Sequence, residues 1–235
     1  MENLKGCEHP LCLSRRKHSV CCPVYQARCR LRFERNEQIS GMRRGGALGA
    51  VKSILKYLKR TKDMFLSYGG GELILEGYSD ASFQSDDDDA KSQSGFVFKL
   101  NGGVVSWKSS NQDTTANSTT EAEYIAASEA TKEAVWIKNY IQEFGEVPSI
   151  AEPVVIFCDN NEAIAQAKKS RSHHRSKHIL RRYHLLREMV SRGDCRMDRV
   201  SSAENTADPL TKPISQIAHT QHLDKMSLRS MGDWL

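Results

Sequence analysis

Five apolar residues in a row, Val154-Val155-Ile156-Phe157-Cys158, run directly into Asp159. A run of β-branched and aromatic side chains with no polar alternation is what a strand buried on both faces requires. The chain must therefore cover a sheet on two sides, and an α/β fold with helices packed on a sheet follows. Leu73 to Ser82 alternates as a strand that carries Asp80 near its end. Phe96, Phe98 and Leu100 alternate on the first arm of a hairpin, Asn101-Gly102-Gly103 turns it, and Val104 to Trp107 returns. Residues 118–145 form the longest helix, with Ala122, Ala126, Ala130, Ala134, Ile137, Ile141 and Phe144 stepping along one face. A short helix through Ala163 and Ala167, a basic helix over Ser176 to Arg192, a strand over Arg196 to Val200 and a short helix from Asn205 or Ala207 complete the order. Three antiparallel strands followed by strands reached through helices imply a mixed five-stranded sheet flanked by helices.

With 235 residues, 39% of them hydrophobic, there is material for one domain-sized core and some appendages. Residues 1–45 alternate basic, cysteine and turn-forming residues without a sustained period, and are expected to be a poorly ordered, atypical extension. Residues 46–72 hold an amphipathic lead-in helix, with Val51, Ile54, Leu55 and Leu58 at helical spacing and an end near Asp63, followed by Gly69-Gly70-Gly71. The sheet domain then occupies 73–213, and 214–235 is a C-terminal tail. Five of the seven cysteines fall in the first thirty residues. An odd count without an export signal argues against a disulfide framework, and the absence of a Cys-x-x-Cys pair favours reduced thiols over a zinc site recruiting His9 and His18. No apolar run approaches the roughly 18 residues of a membrane helix, and the first thirty residues lack a signal-peptide core. A soluble, intracellular chain, cytoplasmic or nuclear and without membrane partners, is expected.

Asp80 and Asp159 both stand at strand ends, where open α/β sheets place their ligands, and neither has a basic sequence neighbour. Carboxylates gathered at one site raise each other's pKa unless a hard cation such as Mg²⁺ or Mn²⁺ holds them ionised. The competing reading is that each aspartate caps the turn or helix that follows it. Glu121 and Glu123 are about 200° apart around their helix, so only one can face the sheet. Ser118-Thr119-Thr120-Glu121 fits a capping box, while Glu123 is in line with Ala127, Ala130 and Ala134 and is the one expected to face Asp80 and Asp159; a second box, Thr120 to Glu123, competes. Asp86-Asp87-Asp88-Asp89 resembles a metal trap but fits a solvated loop better, because unpaired like charges prefer water.

The net charge of +5 is local in origin: Lys168 to Arg187 holds eight basic residues, four histidines and no acid. Lys177, Arg181 and His184 share one helical face, and Ile179, Tyr183, Leu186 and Val190 make the other. Lys168, Lys169, Arg171, Arg175, Lys177, Arg181 and His184 are therefore candidate phosphate contacts, with a merely solvated face as the alternative. Zinc at His173, His174 and His178 is disfavoured by the surrounding cations.

The stretches Gly-Tyr-Ser-Asp-Ala-Ser-Phe (77–83), Gln-Ser-Gly-Phe-Val-Phe (93–98), Val-Ser-Trp-Lys-Ser-Ser (105–110), Ser-Thr-Thr-Glu-Ala-Glu-Tyr-Ile-Ala-Ala (118–127), Phe-Cys-Asp-Asn-Asn (157–161), Ser-Lys-His-Ile (176–179) and Asn-Thr-Ala-Asp-Pro-Leu-Thr-Lys-Pro (205–213) resemble the ribonuclease H region of plant copia-type retrotransposon Pol polyproteins. Residues 50–63 look like the tail of the connection that follows the reverse transcriptase there, and 231–235 resemble the polyprotein's C-terminal end. The resemblance implies a ribonuclease H-like fold and two divalent ions, Mg²⁺ or Mn²⁺, held by Asp80, Glu123, Asp159 and Asp208, with Asp80 bridging. Asp208 enters through the resemblance alone; by itself it would pass as an acid at a helix N-terminus before Pro209. The implied reaction is hydrolysis of the RNA strand of RNA·DNA hybrids, one ion generating the nucleophile and the other stabilising the leaving 3′ oxygen. Hybrid selectivity would come from 2′-hydroxyl contacts and groove shape.

Two departures stand out. The histidine that cellular and retroviral ribonucleases H carry roughly ten residues before the last aspartate has no counterpart in Arg196 to Asn205, leaving His178 or His184 as substitutes. No Tyr-x-Asp-Asp signature is present, so reverse transcriptase belongs to the parent polyprotein and not to this chain. The chain looks like a terminal fragment, and a catalytically silent remnant or nucleic-acid-binding module is the alternative to an active nuclease.

Overall fold

The structure, a computed structural model, describes residues 44–69, 73–85, 90–145, 148–168 and 184–231. Helix α1 (Arg44–Thr61) leads through the short strand β1 (Met64–Leu66) to a five-stranded sheet. Its strands are β2 (Glu76–Ser82), β3 (Gln93–Leu100), β4 (Gly103–Asn111), β5 (Val154–Cys158) and β6 (Cys195–Arg199). They lie in the order β4-β3-β2-β5-β6, antiparallel across the first three and parallel across β2/β5 and β5/β6. This is the mixed sheet the sequence implied. Parallel neighbours need crossovers, and helices supply them: α2 (Thr119–Phe144) precedes β5, while α3 (Asn161–Lys168) and α4 (Leu185–Arg192) lie between β5 and β6.

On one face the alanines of α2 let the helix press close to the strands. Ala122, Ala126, Ala130 and Ala134 are buried, and Tyr124, Ile125, Phe96, Phe98 and Ile156 fill the space around them. Each fully buried large apolar side chain contributes about 1.5–3 kcal/mol, so this layer dominates the fold's stability. Ser118 caps the helix by accepting from the Glu121 amide, and Gly145 ends it at φ 68°, its amide donating to the Gln142 carbonyl.

The opposite face is also covered, which alternation in the hairpin did not foretell. Val97 and Val104 are buried there under Leu210, Leu223, Met226 and Leu228, with Tyr57, Leu58, Met64, Leu66, Tyr78 and Trp107 packed around them. The cover comes from segments near both ends of the chain. Helix α5 (Gln216–Lys225) and strand β7 (Leu228–Ser230) lie in what the sequence left as a tail, and β7 pairs antiparallel with β1. Of the residues expected on the apolar face of the lead-in helix, Leu58 packs on this core and Leu55 is exposed, and Tyr57 makes the contact beside Leu58. Of the extension over 1–45, residues 1–43 with the five cysteines lie outside the described residues, as do Asp86 to Asp89, and its last two residues begin α1.

Candidate metal centre

Asp80 sits in β2 opposite Gly95 of β3 and is fully buried. A Cβ at Gly95 would lie 2.8 Å from Leu210 Cβ and 2.9 Å from Thr211 Cγ2, so glycine is what lets the segment after β6 press onto the sheet beside Asp80. Asn205 fastens that segment: its Nδ2 donates to the Ser79 carbonyl (2.9 Å) and its Oδ1 accepts from the Ala207 amide (3.1 Å). Asp208 opens a single 3-10 turn, Asp208–Leu210, where the sequence suggested a short helix; Pro209 occupies the first turn.

Glu123 projects from α2 to the same end of the sheet. Its Oε1 accepts from the Ala81 amide at 3.1 Å, directly beside Asp80 in the chain, and the Cys158 thiol lies 3.9 Å from its Oε2. Glu121 serves the helix start: its Oε2 accepts from the Asn117 amide (2.9 Å) and from Asn117 Nδ2 (3.2 Å). Asp159 follows β5, and the capping of α3 falls to its neighbour Asn160, whose Oδ1 accepts from the amides of Glu162 and Ala163, both at 3.0 Å. Asp159 Oδ2 instead accepts from Ser202 Oγ at 2.7 Å. Ligand atoms of Glu123, Cys158 and Asp159 all lie within 4.8 Å of one another.

Electrostatics set the character of the cluster. Burial, joined by the negative charges of Asp80 and Asp159, pushes the Glu123 carboxyl up to about 9. Asp80 is pushed up to about 6 by burial, against the opposing pull of Lys212 and a Thr211 hydrogen bond. Burial and the Glu123 charge raise the Cys158 thiol, which stays protonated and adds no thiolate to the set. The available donors are thus carboxylate oxygens, the preference of Mg²⁺ and Mn²⁺.

Three contacts went unseen in the sequence. Lys212 Nζ lies 2.9 Å from Asp80 Oδ1 and 2.8 Å from Asp208 Oδ1, and Thr211 Oγ1 donates to Asp80 Oδ2. Asp80 therefore has a cationic partner, although none adjoins it in sequence. The four-residue spacing of Asp208 and Lys212 was a readable signal for one of these bonds; Asp80, 132 positions away, was not. Ser202 on Asp159 is the third contact.

Of the candidate phosphate contacts, Lys168 is exposed at the end of α3 and His184 is half-buried just before α4; Lys169, Arg171, Arg175, Lys177 and Arg181 lie outside the described residues, as do His173, His174 and His178. Arg187, from the same basic segment, is structural: its Nε donates to the Gln166 carbonyl at 3.0 Å and its guanidinium sits 5.5 Å from the Tyr124 ring centroid.

No family model matches the chain. It is 46% identical over 165 residues to the retrovirus-related Pol polyprotein from transposon TNT 1-94 of Nicotiana tabacum, a match covering 70% of this chain and 12% of that protein. To the retrovirus-related Pol polyprotein from transposon RE2 of Arabidopsis thaliana it is 38% identical over 171 residues, 72% of this chain and 12% of the relative. The chain thus spans about an eighth of the length of these relatives. Among solved structures, RNase H1 from the halophilic archaeon Halobacterium salinarum NRC-1 aligns with a TM-score of 0.41 and 20% identity over 64% of this chain and 97% of that one. No helix among the described residues is long and apolar enough to cross a membrane.

Proposed function

We propose, for a chain that carries a ribonuclease H-like domain matching the Pol polyproteins of plant copia-type retrotransposons over 70% of its length, that it hydrolyses the RNA strand of RNA·DNA hybrids with divalent metal ions. The observation that carries this reading is Glu123, a buried carboxyl held by the amide next to Asp80 and gathered with Asp159 at one end of the sheet, where burial first and the two aspartates next push it up. Such a group costs stability unless a cation claims it, and positions with strongly shifted pKa values cluster at functional sites.

Asp80, Glu123, Asp159 and Asp208 would hold the ions, Mg²⁺ or Mn²⁺, two in number. Bound there, they would supply Lewis acidity, lowering the pKa of the attacking water and stabilising charge on the leaving 3′ oxygen. The protein's own residues provide the frame. Glu123 is anchored by the Ala81 amide, Asp159 is oriented by Ser202, and Asn205 pins the Asp208 turn to β2. Lys168 and His184, with the basic segment between them, would grip the hybrid's phosphates without reading sequence.

The test is cleavage of a labelled RNA·DNA hybrid with Mg²⁺ or Mn²⁺, with Asp159→Asn as the control. Cleavage that needs the metal and disappears in the variant supports the reading; metal-independent or variant-insensitive cleavage removes it. A second reading, a domain that binds hybrid and cuts nothing, draws on Lys212, whose ammonium already pairs with both Asp80 and Asp208. Saturable hybrid binding with no cleavage under either metal would favour it.

A further inference from the structure

Lys212 is the one side chain among the described residues seen to touch two of the four carboxylates at once. Its ammonium, 2.9 Å from Asp80 and 2.8 Å from Asp208, lies where a cation shared by those two aspartates would have to lie. Thr211 Oγ1 accompanies it, donating to Asp80 and also lying 3.1 Å from the Asp208 carbonyl, so consecutive residues of one turn serve both acids. The reach is built into the backbone: the Lys212 amide donates to the Asp208 carbonyl at 3.0 Å, which puts the two side chains on one side of the turn. The lysine side chain is 35% exposed while Asp80 is fully buried. The ammonium therefore has a route to solvent that the carboxylate lacks.

We propose that Lys212 is a built-in stand-in for the divalent cation, holding Asp80 and Asp208 together in the metal-free protein and competing with metal for them. Metal loading then exchanges one bound cation for another, as the lysine swings outward and the ion takes over its carboxylates. Such an exchange keeps buried Asp80 from ever standing without a counter-charge, which is the costly state. It also makes metal affinity lower than the carboxylates alone would give. The inference rests on reading the four acids as a metal centre.

The experiment measures Mn²⁺ binding calorimetrically to the full chain, wild type against Lys212→Met and Lys212→Gln, with Lys225→Met as a control for loss of a positive charge elsewhere. Lys212→Gln keeps a hydrogen-bond donor for the carboxylates, so one variant remains foldable if the other is not. The expected result is Mn²⁺ affinity roughly ten- to hundredfold tighter in both Lys212 variants, the scale set by removing a unit charge from direct contact. Their metal-free melting temperature should fall, and Mn²⁺ should raise it by more than in the wild type. Lys225, engaged with Glu204 and the Ala203 carbonyl, should give less than a threefold change when replaced. Equal Mn²⁺ affinity in wild type and Lys212 variants overturns the competition and leaves the centre standing, and weaker binding in the variants overturns it in favour of a lysine that merely organises the site. Absence of saturable Mn²⁺ binding in every protein overturns the metal centre itself and the competition with it.

Discussion

Asp80 and Asp208 meet across the Lys212 ammonium, whereas Glu123 and Asp159 stand close together beside a backbone amide, a thiol and a serine hydroxyl. The first pair shares one positive charge supplied by the fold. The second is held together against its own repulsion by α2 and β5, elements fixed elsewhere by the burial of Ala122, Ala126 and Ile156. The contrast teaches that a charged lysine holds one half of the cluster while neutral groups hold the other. On the proposed metal centre, a divalent ion would gain most at the Glu123–Asp159 half and would have to compete at the other.

The largest effect expected falls on that frustrated half. In the full chain Asp159→Asn should lower metal-dependent cleavage of an RNA·DNA hybrid by about a thousandfold or more, roughly 4 kcal/mol of barrier. Hybrid affinity, measured by fluorescence anisotropy, should change by less than about threefold, since the grip is assigned to the basic segment. A variant that still cleaves at the wild-type rate would move the centre away from Asp159.

Stability should then split the halves by sign. Glu123→Gln removes a carboxyl that is expensive to bury, and should stabilise the metal-free protein by about 2 kcal/mol at pH 8 in urea unfolding. Asp80→Asn should destabilise it by about 1–2 kcal/mol, because Lys212 and Thr211 lose an ionised partner. Two shifts of the same sign would erase the contrast.

The pH dependence follows from the same shifts. Glu123 titrates near 9 in the folded chain against an ordinary value of 4.5, so between those values the folded state holds a proton that the unfolded state has released. Stability from this group is full below about 4.5 and is lost as pH rises toward 9. Asp80 adds a smaller loss between 3.8 and about 6. Metal-free wild type should therefore be less stable at pH 8.5 than at pH 5, and Glu123→Gln should flatten the difference by on the order of 1–2 kcal/mol. Mn²⁺ should bind more tightly as pH rises, since the ion takes the ionised form.

Much of this was legible in the sequence. Val154 to Cys158 announced a strand, although only Val154, Ile156 and Cys158 are buried while Val155 and Phe157 on the other face are half-buried, and helical phase separated Glu121 from Glu123 because two residues span more than half a turn. Those signals are local. What stayed hidden is non-local: β7 is three residues with no period of its own, and it is a strand because Met64 to Leu66 pairs with it from the other end of the chain. Val97 and Val104 are buried only because that clasp, α5 and Leu210 lie over them. Lys212 was hidden for the same reason, its second aspartate being 132 residues distant. The 3-10 turn at Asp208 is too short to carry a pattern at all.

The smallest effect expected probes how Asp159 is held. Ser202 Oγ donates to Asp159 Oδ2 at 2.7 Å, a neutral hydroxyl where Asp80 has a charged lysine. Such an exposed bond contributes about 0.5–1.5 kcal/mol, far less than a buried ion contact. Ser202→Ala should therefore weaken Mn²⁺ binding by about threefold, opposite in direction to Lys212→Met, and leave cleavage at saturating Mn²⁺ nearly unchanged. The direction matters more than the size, because a hydroxyl orients a ligand whereas an ammonium occupies the ion's place. If Ser202→Ala tightened Mn²⁺ binding as Lys212→Met is expected to, both partners would be acting as competitors and the asymmetry between the two halves would vanish.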